Sequence, residues 1–208
     1  VARSLVLAGL AALSVWFVAQ AILTGTARKE LDQTLLLTTR AVEAEIDRLR
    51  ALPAVVAQDA RVRRALSGTG PLQEANSYLA SVADQADADE LFLIDASGET
   101  IAASNWDTPG SFVGQNYAFR PYFQDALTTG DGQFYAIGVT TGIPGYFLST
   151  RVDLGNTLGV MVVKLDLRPL QDTWRAAAAD VALADEHGVV FHNWCRDNCR
   201  LALTICSP

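Results

Sequence analysis

Between Asn116 and Phe123 the sequence reads NYAFRPYF: four aromatic residues, a proline, an amide and one arginine, in a chain that is 8% aromatic overall. The planar guanidinium of Arg120 is a fork matched to a carboxylate. Tyr117, three residues earlier, shares its side of a helical turn and can add a hydroxyl donor. A second cation, Lys164, stands in the apolar run VMVVKLDL, and the segment VTTGIPGY brings the hydroxyls of Thr140 and Thr141 beside Gly142. These residue types can hold an anion. They do not make a catalytic constellation, since no serine or cysteine belongs to a nucleophile motif and no glycine-rich phosphate loop precedes a helix. Two readings of Arg120 stay open: a surface charge at the edge of a core, or a group facing a pocket from which the aromatics exclude water. Lys164 is equally ambiguous. Alternation puts it on one face with Val162 and Asp166, which fits an outward edge residue or a buried cation. VTTGIPGY also reads as an ordinary hairpin turn.

The elements that must position these residues follow from patterning. Half of the residues are hydrophobic, which excludes a disordered chain, and the formal net charge of −7 argues against nucleic acid as a partner. Ser4 to Ala27 carries no charge; as a helix it spans roughly 36 Å, enough for a hydrocarbon core of about 30 Å. It is too long for the apolar region of a cleaved signal peptide, so residues 1–27 read as a transmembrane anchor. Beyond it, Leu31, Leu35, Thr38 or Thr39, Val42, Ile46 and Leu49 form one helical stripe that stops near Pro53. The stripe suits a helix packed on its own domain or a dimerising stalk. A second helix opens at Pro71, completing a helical region over residues 28–87.

The pattern then changes to strands. ELFLID and TIAAS form a hairpin around Ala-Ser-Gly-Glu, and NYAFRPYFQDAL becomes a short helix from Pro121. QFYAIGVT, GYFLSTRV and LGVMVVKLD follow as three more strands, and RPLQDTWRAAAA returns to helix. The fold class is therefore α+β, with a five-stranded antiparallel sheet flanked by helices over residues 88–180. VALADEHGVVF repeats the apolar–acid–turn–apolar form of the first hairpin and starts a second, smaller domain over residues 181–208.

The order SFVGQNYAFRPYFQDAL, FYAIGVTTGIPGYFLSTRV, LGVMVVKLDL resembles the periplasmic sensor of the C4-dicarboxylate sensor histidine kinases, a double PAS-like (double Cache) module. The resemblance covers residues 28–191, and NYAFRPYF is its most specific part. It implies a bacterial inner-membrane protein with its sensor in the periplasm. Members of that family work as homodimers and pass the signal through a second membrane helix to a kinase that uses ATP and Mg and addresses a response regulator. This chain is expected to hold the anchor and most of the sensor, truncated before the kinase, so that it carries no catalytic domain and no cofactor of its own.

A dicarboxylate such as succinate, fumarate or malate needs donors at both ends, because a buried unpaired carboxylate is strongly disfavoured. The resemblance assigns one carboxylate to Arg120 with Tyr117, the second to Lys164, and contacts to Thr140 and Gly142. Thr141, Tyr146 and Ser149 are second candidates, while Asn116, Phe119, Tyr122 and Phe123 shape the pocket. After Phe191 the tail HNWCRDNCRLALTICSP departs from the family and shows no trusted strand alternation; a frameshifted or truncated gene accounts for it better than a Cys-rich function. The spacing of Cys195, Cys199 and Cys206 fits no zinc signature. The alternative function is a Cache sensor of a chemoreceptor or a cyclic-dinucleotide enzyme, binding another small carboxylate or an amino acid. An amino acid requires an acidic partner for its ammonium, and no clear one stands out, Asp166 being the residue left to consider.

Overall fold

The computed structural model describes residues 2–166, 181–184, 190–193 and 201–204. A long helix α1 (Ala2–Leu49) leads into α2 (Leu52–Val56), α3 (Ala60–Leu66) and α4 (Leu72–Ala86). Then come β1 (Glu90–Asp95), β2 (Thr100–Ala103), α5 (Pro121–Thr129), β3 (Asp131–Ile137), β4 (Pro144–Asp153) and β5 (Leu158–Asp166). Among the described residues no helix is long and apolar enough to cross a membrane. The anchor read from Ser4–Ala27 falls largely on side chains outside the described residues, on a backbone that is helical.

The five strands form one sheet in the order β2-β1-β5-β4-β3, with every neighbouring pair antiparallel. From the β1–β2 hairpin the chain crosses through a long loop and α5 to the far edge. Two further hairpins then bring β5 into the centre, against β1. This is the expected PAS-like sheet, and it has two covered faces. On one, Leu91, Leu93, Met161, Val163 and Leu165 pack against Ile46 and Leu49 of α1, Val56 of α2, Val62 and Leu66 of α3 and Leu79 of α4. On the other, Phe92, Ile94, Val160, Val162 and Phe147 pack against Tyr122, Phe123 and Ala126 of α5 and against Phe112 and Tyr117. Full burial of side chains of this size contributes roughly 1.5–3 kcal/mol each, so both layers hold the sheet.

The stripe on α1 resolves in favour of its own domain over its last turns: Thr38, Val42, Ile46 and Leu49 are buried, while Leu36 and Leu37 are exposed. Pro53 does end the long helix, but it also sits in the first turn of α2, where its missing N–H costs nothing. The short helices α2 and α3 carry too few residues to show a period, and the sequence reading passed over them. Asp59 caps α3 by accepting from the Arg61 backbone N–H at 2.8 Å.

In the second region β6 (Val181–Ala184) pairs antiparallel with β7 (Val190–Asn193) and parallel with β8 (Leu201–Thr204). The tail thus contains a strand, Leu201–Thr204, where no alternation was trusted; four residues give too short a pattern to read. Cys195, Cys199 and Cys206 and the helix expected at RPLQDTWRAAAA lie outside the described residues.

Candidate functional site

The site begins where the loop before α5 docks on the β1–β2 hairpin. Gly98 turns that hairpin at φ +90°, and an added Cβ would lie 2.5 Å from the Ala118 Cβ, so only glycine lets the loop approach. Tyr117 N–H donates to the Gly98 carbonyl at 2.7 Å, and the Asn116 side-chain amide donates to the Ser97 carbonyl at 3.1 Å. Asn116 therefore fastens the loop. Arg120 is the N-cap of α5 in an extended conformation, followed by Pro121, whose fixed φ starts the helix. Arg120 thus emerges at a rigid corner.

Its guanidinium donates to the Ile137 carbonyl at the end of β3 (2.8 Å) and lies 5.3 Å from the centre of the exposed Phe119 ring. The remaining guanidinium N–H groups have no partner among the described residues. The Tyr117 hydroxyl lies 2.6 Å from the Thr140 hydroxyl, which joins the same loop to the β3–β4 turn. Burial pushes the Tyr117 hydroxyl above its usual range, with the Thr140 bond and the Arg120 charge acting in the opposite direction. Burial raises Tyr122 much further. Both hydroxyls keep their protons at neutral pH and can therefore donate.

Lys164 answers the question its strand left open. Register sets it opposite Glu90 on β1 and Phe147 on β4, on the α5 face of the sheet with Val160 and Val162. It is 1% exposed. Its ammonium forms an ion pair with Asp89, in the link between α4 and β1. Beside it, Glu90 accepts from the Ser104 hydroxyl. Burial raises the Glu90 carboxyl above its ordinary value, the neighbouring Asp89 charge adds to this, and Ser104 and Lys164 oppose it.

One small pocket opens between these loops and the sheet. Arg120 and Lys164 both line it. Its walls are Phe92, Phe112, Tyr117, Tyr122 and Phe147, and its remaining edge is Gly138, Val139 and Thr140. Tyr122 and Phe147 stack at 4.9 Å with 10° between planes, and Phe92 meets Phe112 edge-on at 5.1 Å. Such a site combines apolar walls with few polar groups, the usual form of a small-molecule pocket. Its cationic and hydroxyl groups suit an anion, and among the described residues no group of His, Cys, Asp and Glu is arranged for a metal.

Of the residues picked out in the sequence, Tyr117, Arg120, Thr140 and Lys164 come together on this cavity, and Tyr122 joins its wall. Asn116, Phe119 and Phe123, expected to shape the pocket, do not line it, and neither do four of the expected ligand contacts. Gly142 is in the exposed turn at φ +68°, where its N–H closes the turn on the Gly138 carbonyl at 2.7 Å. The Thr141 hydroxyl accepts from the Ile143 N–H within that turn. Tyr146, one residue out of phase with Phe147, packs on the helical side of the sheet. The Ser149 hydroxyl lies 2.7 Å from the Tyr122 carbonyl and 3.1 Å from that of Gly132, fastening α5 to the sheet. Asp166, considered as a partner for a ligand ammonium, does not line the cavity, and the acid paired with Lys164 is Asp89. Phe92, Phe112, Gly138, Val139, Phe147 and Asp89 were not anticipated. Phe147 becomes legible once Lys164 is known to lie across from it, and Gly138 because an added Cβ would come 2.6 Å from the Thr141 hydroxyl.

No family model matches the chain. It is 42% identical over 152 residues to the C4-dicarboxylate transport sensor protein DctB of Rhizobium meliloti, covering 72% of this chain and 24% of the relative. To the protein of the same name from Pseudomonas aeruginosa it is 34% identical over 162 residues, covering 76% and 26%. The chain thus spans about a quarter of the length of the curated relatives it matches. Among solved structures, the sensor domain of the V. cholerae histidine kinase DctB superposes with a TM-score of 0.72 at 33% identity, over 79% of this chain and 66% of that one.

Proposed function

Because the chain belongs to the C4-dicarboxylate transport sensor family, matching its sensor region, we propose that the cavity between Arg120 and Lys164 binds a C4-dicarboxylate. The observation that carries this reading is the presence of both cations on one aromatic-walled cavity. Arg120 takes one carboxylate on its free N–H groups, aided by the Tyr117 and Thr140 hydroxyls, and Lys164 takes the other. The rings of Phe92, Tyr122 and Phe147 exclude water, so each charge-assisted hydrogen bond acts at low dielectric.

The same reading places residues 28–191 in the periplasm, with Ser4–Ala27 as an inner-membrane anchor and α1 as the path for the signal. Leu36 and Leu37, exposed beside the buried stripe, offer α1 an apolar face for a second copy. A histidine kinase and its response regulator carry the output.

Calorimetric titration of the detergent-solubilised chain with succinate and butyrate tests the clamp. Hydrogen bonds to charged groups contribute about 1.5–3 kcal/mol, so succinate binds at least about tenfold tighter than butyrate. Equal affinities for the two acids overturn it.

A further inference from the structure

Lys164 already has an anion. Its side chain is 2% exposed and paired with Asp89, whose own side chain is 21% exposed and which does not line the cavity. Across the ladder from Lys164 stands Glu90, a second carboxyl group bonded to Ser104. A carboxylate arriving from the cavity side therefore meets an ammonium whose charge is neutralised from behind. It also meets one, and with Glu90 two, groups of its own sign or able to acquire it. Among the described residues, the other cation lining the cavity is Arg120.

From this arrangement, and resting on the dicarboxylate reading above, we infer that Asp89 is a built-in competitor that the ligand must displace from Lys164, and that it thereby sets the affinity of the site. Like charges sharing one cation disfavour each other, and removing the internal one favours the external one. The backbone permits the exchange. Asp89 N–H donates to the Lys164 carbonyl at 3.1 Å, so the strand start stays paired while the side chain swings out. The exchange also takes place at a mechanical junction. Two residues earlier, Asp87 ends α4 in the left-handed conformation, and Arg48 of α1 donates to the carbonyls of Ala86 and Asp87. Freeing Asp89 acts directly on the link that the long helix grips.

The competing role for Asp89 is to orient Lys164 for the ligand, and the two roles predict opposite signs. In Asp89→Asn the buried ammonium has lost its counter-charge, and a ligand carboxylate restores it. The detergent-solubilised Asn variant binds succinate about tenfold tighter than the wild type by calorimetry. Its affinity for butyrate, whose single carboxylate goes to Arg120, stays unchanged. Its melting temperature falls without ligand and rises more than that of the wild type on saturation with succinate. Succinate affinity equal to or weaker than wild type in the Asn variant overturns the competition and leaves the clamp standing. No binding of succinate by the wild type overturns the clamp and the competition with it. Should the Asn variant fail to fold alone, refolding in succinate rescues it, because the ligand then supplies the missing anion; failure of that rescue, with the wild type binding succinate, also overturns the competition.

Discussion

Tyr117 and Thr140, 23 residues apart in sequence, hold their hydroxyl oxygens 2.6 Å from each other and so close the rim of the cavity. One comes from the loop that precedes α5, the other from the turn between β3 and β4. The contact fixes both segments relative to Arg120, whose guanidinium is bonded to Ile137 at the start of that same turn. The rim is therefore a small hydrogen-bonded frame around a cationic donor.

Tyr117→Phe removes one side of the frame and leaves the ring packed against Phe92 and Phe112, 5.7 and 6.1 Å away. Stability in urea falls by about 1 kcal/mol, the worth of one ordinary hydrogen bond. Succinate binds more weakly because a donor is gone and the turn is released. Unchanged affinity in calorimetry would show that the Tyr117–Thr140 pair is purely structural.

Gly98→Ala tests how the loop is seated. The alanine must adopt φ +90° and its Cβ would meet Ala118 at 2.5 Å from the Cβ and 2.6 Å from the backbone nitrogen. A strained backbone costs about 1–3 kcal/mol. Urea unfolding registers that loss, and succinate binding weakens with it because Tyr117 and Arg120 follow this loop. Wild-type stability in the variant would contradict the close approach.

Much of this arrangement was legible in the sequence, and the parts that were not have physical reasons. The strands announced themselves because Gly and Pro turns separate runs of β-branched and aromatic residues, and α5 because Pro121 follows an extended arginine. The face of Lys164 was not readable. Strand β5 is central and covered on both sides, so seven consecutive residues, Gly159 to Leu165, are buried and alternation has nothing to show. Tyr146 and Ser149 were chosen for their hydroxyls, which say nothing about phase; their neighbour Phe147 has the right phase and looked like core. Asp89 stands in the acidic link DADE, where nothing in the local pattern sets it apart from its neighbours. Only the pairing of β1 with β5 brings it to Lys164, 75 positions away.

Asp59 gives a prediction in pH. Its hydrogen bonds with Arg61, the side chain first and the backbone N–H also, lower its pKa to about 2 against the opposing effect of burial. A carboxyl depressed in the folded state stabilises the fold above its unfolded pKa of about 3.9 and loses that contribution as pH falls towards about 2. Acid titration of stability therefore shows a decline over that window that is reduced in Asp59→Ala. The variant also loses the cap of α3, at a cost of about 0.5–2 kcal/mol at neutral pH. An identical acid limb in the two proteins would remove Asp59 from the account.

The central claim is that one small acid bridges Arg120 and Lys164, and a crystal structure grown in saturating succinate tests it most directly. The account predicts succinate inside the aromatic walls, one carboxylate within hydrogen-bond distance of the Arg120 guanidinium and the other within reach of the Lys164 ammonium. Succinate bound elsewhere, or an empty cavity with Lys164 still paired to Asp89, would contradict it.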